Sequence, residues 1–96
     1  MNTTRSTAGR KIVLYSGWVQ GVGFRQTTVS LARAYSIGGT VRNMDDGRVE
    51  LILEGPTEEM DQLLADIEAR FSGFITDVGQ RTEPLEGLSP PVRIIW

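Results

Sequence analysis

The sequence predicts an α+β fold: an antiparallel sheet with two helices on one of its faces, in the order β-α-β-β-α-β. Three observations point there. KIVLYSGWV, residues 11 to 19, is rich in β-branched and aromatic residues and reads as a strand. Two segments, near 24–36 and 55–73, repeat apolar residues at helical spacing. Between them RVELILE, residues 48 to 54, alternates strictly, as a strand does with one face on a core and the other partly wet.

Each element follows in turn. In the first strand Ile12 and Leu14 alternate with Val13 and Tyr15, which suits a central position. The loop SGWVQGVGFRQT, residues 16 to 27, carries Gly17, Gly21 and Gly23 and closes on Arg25. From about Phe24 to Ser36, Leu31, Ala32 and Tyr35 follow Thr28 at helical spacing. Gly38 and Gly39 are expected to stop that helix, one of them as a left-handed cap. TVRNM is a short strand and DDG, 45 to 47, a tight turn. Val49, Leu51 and Leu53 then share one face of the next strand, with Glu50, Ile52 and Glu54 on the other. GPTEEMDQLLADIEARFSG is the clearest helix. Pro56 suits its first turn, and Glu58 and Glu59 suit its positive end. Met60, Leu63, Leu64, Ile67 and Phe71 form its apolar stripe, and Gly73 closes it. ITDVGQ and PVRIIW are two more short strands around the loop TEPLEGLSPP, so one extra strand or extended piece is expected near the end. The layout is a ferredoxin-like α/β sandwich, βαββαβ. Residues 1–9 read as a flexible N-terminal tail and 10–96 as the domain. This fold hosts many unrelated functions and fixes none of them.

Composition narrows the chemistry. A chain of 96 residues makes one small domain with a thin core. Its formal net charge of -2 argues against a general nucleic-acid binder. There is no cysteine and no histidine. That removes thiolate chemistry, Cys-based metal sites, and the commonest general base and metal ligand. Arg, Lys, carboxylates, hydroxyls, amides and the backbone must do the work. No signal peptide or membrane-length apolar run is seen, and a cytoplasmic protein is expected.

The glycine loop is the most informative stretch. Gly21 and Gly23 permit backbone angles closed to other residues, so successive N–H groups can turn inward as an anion-sized nest. The loop leads into a helix N-terminus, which favours negative charge. Arg25 at that end is unfavourable to the helix alone. It makes sense with an anion between it and the loop, since guanidinium meets phosphate or carboxylate with two parallel hydrogen bonds. GVGFRQ lacks the third glycine of a dinucleotide motif, and no G-K-[ST] follows. From the residues alone, a compact oxyanion site and a plain turn with a surface arginine both stay open. DDG with Glu50 and Glu54 fits no calcium loop and reads as a hairpin turn with a solvated face. Trp18 either lines the acyl side of a substrate or simply sits near the loop. Trp96 is expected to pack.

GWVQGVGFR followed by GGTVRNMDDGRVELILEG strongly resembles the acylphosphatase family. That family carries a V-Q-G-V-x-F-R loop and, past the first helix, a G-x-V-x-N-x-x-D-G-x-V-E segment. The resemblance is specific over about residues 11 to 72. It implies a ferredoxin-like fold and hydrolysis of carboxyl phosphates to a carboxylate and phosphate, with no metal and no cofactor. Arg25 would bind the phosphoryl oxygens. The loop amides of Gln20, Gly21, Val22, Gly23, Phe24 and Arg25 would complete the cradle. Asn43 would hold the attacking water, and Thr28 looks like the family's supporting threonine. The implied partners are a small-molecule acyl phosphate and inorganic phosphate, as product and competitive ligand. Neither nucleic acid nor membrane is implied, and the protein would be a monomer. Two positions depart: Thr40 stands where members often have an aromatic residue, and Met44 where a threonine or other polar group is common. Gly23 replaces a bulkier residue in some members.

Such chemistry runs without histidine because of its leaving group. A carboxylate, with a conjugate acid of pKa roughly 4, departs as a stable anion and needs no general acid. Phosphoryl transfer then needs positioning and charge stabilisation. Asn43 cannot act as a base, but it can orient one water in line with the breaking P–O bond. Its proton would go to a phosphate oxygen or to solvent. Two other readings compete. One is a catalytically slow or silent anion-binding module on the same fold, such as a domain of a larger carbamoyl-transfer maturation factor. The length and absent zinc motifs favour a stand-alone enzyme over it. The other is an RNA-binding domain, which needs exposed aromatics on the central strands; RVELILE offers Glu50, Ile52 and Glu54 instead.

Overall fold

The structure, a computed structural model, describes residues 7–95. Its elements run β1 (Ala8–Gly17), α1 (Phe24–Ala32), β2 (Gly38–Asn43), β3 (Val49–Pro56), α2 (Thr57–Arg70), β4 (Ile75–Glu83) and β5 (Val92–Ile94). The sheet order is β4-β1-β3-β2-β5. The predicted order is present, with β1 inside the sheet and a fifth strand at the end. Ala8 and Gly9, assigned from sequence to the tail, belong to β1 and pair with Pro56 and Gly55. Thr7, the next residue of the predicted tail, is described and accepts from Thr57 N at 2.8 Å, while residues 1–6 and Trp96 lie outside the described residues.

Four strands pair antiparallel as expected. β5 does not: it runs parallel to β2, Gly39 opposite Val92 and Val41 opposite Ile94, so the sheet is mixed. After β4 on one edge, residues 84–91 carry the chain to the opposite edge, and it enters in the direction of β2.

One hydrophobic core lies between sheet and helices. Val13 and Tyr15 of β1, Val41 of β2 and Val49, Leu51 and Leu53 of β3 meet Phe24 and Ala32 of α1. The α2 stripe of Met60, Leu63, Leu64 and Ile67, with Phe71, completes it. Every residue of the predicted stripe is buried, as helical periodicity requires. Tyr35 Oη donates to Asp66 at 2.5 Å, tying the segment after α1 to α2.

Two helix ends differ from expectation. α1 stops at Ala32, and residues 33–35 continue as turns with i→i−3 bonds, such as Tyr35 N to Ala32 O at 3.0 Å. Its C-cap is Arg33, so neither Gly38 nor Gly39 caps it. Both glycines lie inside β2. A Cβ on Gly39 would sit 1.8 Å from the Ile52 carbonyl oxygen, so Gly39 is there for close backbone approach. Pro56 is the N-cap of α2 rather than a first-turn residue.

Glu54, placed by alternation on the wet face, is buried. It pairs with Arg10 and accepts backbone N–H bonds from Glu86, Gly87 and Leu88 at 2.9, 2.9 and 3.1 Å. Residues 86–88 thus cover that end of the open face and turn a solvated position into an interior one. Burial pushes the Glu54 carboxyl up, but the three N–H donors and Arg10 outweigh it and hold it at about 2.

Candidate active site

Topology brings the loop and Asn43 together. β1 and β2 each run antiparallel to β3, the strand between them, so their C-terminal ends lie at the same end of the sheet. The loop 18–23 leaves β1 there, and Asn43 is the last residue of β2.

The loop is pinned at both ends. Val19 is buried at its start. Phe24 is buried at its finish, with its ring centroid 4.9 Å from that of Tyr15 and 4.7 Å from that of Phe71. Between these anchors Gly21 and Gly23 both have φ 79, the left-handed region the loop was expected to need. Gly23 is also the N-cap of α1, with no side-chain cap and no acidic residue in the first turn. The positive end of the helix is therefore left uncompensated by the helix's own carboxylates.

A cleft of about 170 Å³ opens here, lined by Gly21, Gly23, Phe24, Arg25 and Asn43, with Gln26, Val19 and Ile94 completing the wall. It is small beside the ~300–1,000 Å³ of sites for drug-sized ligands, and suits a phosphoryl-sized group. The Asn43 Oδ1 is buried and has no hydrogen-bond partner among the described residues. A buried acceptor with no protein partner is costly unless something else supplies a donor. Three predicted residues stand back from the cleft. Val22 packs against the core. Thr28 is fully buried one helical turn beyond Phe24, and its hydroxyl has no hydrogen-bond partner among the described residues. Gln20 points its carboxamide to the β2–β3 turn, donating to Met44 O at 2.8 Å and Arg48 O at 2.9 Å.

The departure at Met44 acquires a physical reading. Its carbonyl accepts from Gln20 and its N–H donates to Arg48 O at 2.8 Å, and neither bond depends on the side chain. Trp18 is 72% exposed and does not line the cleft; its N–H bonds Phe74 O at 2.8 Å. Val19, Gln26 and Ile94 line the site without having been predicted. Ile94 is an apolar strand residue and carries no chemical signal; only the parallel pairing of β5 with β2 brings it there. Tyr15, beneath the loop, has its hydroxyl pushed up by burial and, to a lesser degree, by Glu68, so it stays protonated at working pH. Among the described residues no cluster of three or more carboxylates, histidines or cysteines is placed to hold a metal, and no helix is long and apolar enough to cross a membrane.

This arrangement has relatives. The acylphosphatase family profile matches residues 11–85, which include the whole loop and the Asn43 hairpin. The acylphosphatase of Haloquadratum walsbyi is 47% identical over 64 residues, covering 67% of this chain and 66% of that protein, just under two thirds of its length. The acylphosphatase of Haloarcula marismortui is 40% identical over 80 residues, covering 82% of this chain and 88% of that one. The crystal structure of acylphosphatase from Bacillus subtilis matches with a TM-score of 0.79 at 29% identity, over 94% of this chain and 100% of that chain. Profile, sequence relatives and fold agree: the chain belongs to the acylphosphatase family.

Proposed function

We propose that this chain hydrolyses acyl phosphates to a carboxylate and inorganic phosphate. The observation that carries this reading is the convergence of Arg25, the left-handed glycines of the loop and Asn43 on one small cleft. Arg25 and the amides from Gln20 to Arg25 bind the phosphoryl oxygens and stabilise the charge that gathers on them. The buried Asn43 Oδ1 accepts a hydrogen bond from a water and aims it in line with the breaking P–O bond. The carboxylate leaves without a proton donor, consistent with a chain that has no histidine. The cleft holds the phosphoryl group and leaves the acyl part toward solvent, so the acyl chain is read weakly. Thr28 supports the helix start from below. No metal or cofactor takes part. The protein works as a cytoplasmic monomer, and phosphate competes with substrate.

The test is hydrolysis of benzoyl phosphate without added metal, with phosphate as inhibitor. Arg25→Ala should lose both phosphate inhibition and turnover. Asn43→Ala should keep phosphate inhibition and lose on the order of 100-fold to 1000-fold in kcat. An Asn43→Ala protein that lost phosphate affinity with kcat intact would overturn the role given to Asn43. Wild-type turnover no higher than that of Arg25→Ala would favour the silent anion-binding module instead.

A further inference from the structure

Hydrolysis as read above needs two parts of the chain to be held in fixed relation. The loop amides and Arg25 carry the phosphoryl group, and Asn43, on a separate strand, carries the water. We propose that Gln20 is the positioning residue that sets this relation, acting through its side chain rather than through the phosphate cradle. This inference rests on the reaction assigned to the cleft.

The geometry is specific. A carboxamide nitrogen has two hydrogens. That of Gln20 donates to Met44 O at 2.8 Å and to Arg48 O at 2.9 Å. These carbonyls belong to the residues that flank the β2–β3 turn, where Met44 N also donates to Arg48 O at 2.8 Å and Gly47 N to Met44 O at 3.2 Å. Gln20 therefore holds both flanks of the turn at once, one residue beyond the end of β2 and one before the start of β3. The residue before Met44 is Asn43, which pairs with Val49 in the last rung of the β2–β3 ladder. On the loop side, Gln20 stands between the buried Val19 and the left-handed Gly21. The glycines give the loop its curvature and also its freedom. The strut to the hairpin removes that freedom in the direction that matters for attack.

Binding and turnover respond differently to such a strut. Phosphate touches the cradle alone, so its affinity does not require the hairpin to be in register. In-line attack requires both halves, and a misplacement near 1 Å costs on the order of 100-fold. A role in stability alone would lower the folded fraction and leave kcat per folded molecule unchanged.

The experiment compares Gln20→Ala and Gln20→Glu with wild type and Asn43→Ala, using benzoyl phosphate as substrate, inorganic phosphate as inhibitor and far-UV circular dichroism for the folded fraction. Gln20→Ala should lower kcat by roughly 10-fold to 100-fold with KM and phosphate inhibition little changed. Gln20→Glu is the sharper probe. Its carboxylate has no proton to donate and would face two carbonyl oxygens, so it should be slow at neutral pH. On acidification the carboxyl gains a proton, donates again, and kcat should rise while wild type stays level. The elements around this side chain carry Arg25 at the start of α1 and Asp45, Asp46 and Arg48 in the turn. Wild type and Gln20→Ala, which share all four, control for their titration. A Gln20→Ala protein with wild-type kcat, a Gln20→Glu pH profile parallel to wild type, or phosphate affinity lost in step with kcat would each overturn the role of Gln20. If Asn43→Ala is slow while Gln20→Ala is not, only the strut fails. If wild type is inactive, or Asn43→Ala as fast as wild type, the assigned reaction fails and the strut with it.

Discussion

Two glycines in this molecule do different work, and substitution separates them. Gly39 has no room: an added Cβ would meet Ile52 O at 1.8 Å. Gly23 has room, with nothing within 4 Å of an added Cβ, and only its φ of 79 opposes a side chain. Gly23→Ala should cost about 1–2 kcal/mol, the usual penalty of a left-handed residue. Gly39→Ala should cost more, about 3 kcal/mol or above, because β2 and β3 must move apart. Urea midpoints measure both, and the reverse order would contradict this account. Site residues differ in legibility for a similar reason. The left-handed backbone at Gly21 and Gly23 could be read from the loop, whereas the residues alone left an anion site at Arg25 and a plain turn both open, and the role given to Arg25 came from the family motif. Asn43 came from the family motif. The side-chain role of Gln20 could not be read, since both its partners are backbone carbonyls, 24 and 28 residues away, with no sequence signature of their own.

At the scale of elements, residues 84–91 act as a strap that Glu54 fastens. The Glu54 carboxyl is held at about 2, well below its ordinary value of 4.5. A depressed carboxyl stabilises the fold above its unfolded pKa and loses that contribution as pH falls through the folded one. Stability should therefore drop between about pH 4.5 and pH 2, by a contribution of about 3 kcal/mol from this buried group. Glu54→Gln should be less stable at neutral pH, because the buried Arg10 loses its counter-charge. It should also lack most of that acid-dependent loss. Urea denaturation at neutral pH and at about pH 3 tests this, and equal acid sensitivity in both proteins would count against it. The strap shows where periodicity fails. Alternation in β3 placed Glu54 opposite the core correctly, but a segment 32 residues on covers it. The helix stripes and the β2–β3 hairpin were legible because their partners are dictated by local period. β5 was legible as a strand, but its parallel pairing was not, because three residues do not announce which edge they join.

The molecule as a whole carries out its proposed chemistry by placement. Strand order puts the C-terminal ends of β1 and β2 at the same end of the sheet, with β3 between them, and α1 begins at that end with Arg25. The residues lining the cleft include no histidine, cysteine, lysine or carboxylate. The kcat/KM for benzoyl phosphate should therefore be level between about pH 5.5 and pH 8, the range in which a histidine would titrate. A bell centred near pH 7 would require an acid or base that this site does not contain.

The shortest strand has a second consequence, for association between molecules. The outer edge of β2 from Gly39 to Val41, next to the cleft, would otherwise offer unpaired N–H and C=O groups as a template for a strand from another copy. β5 fills that edge with three residues of the same chain, and Ile95 N adds a bond to Val41 O at 3.0 Å. The segment that lends Ile94 to the cleft thus also leaves this side of the sheet with an edge strand of only three residues, a short template for pairing with another copy.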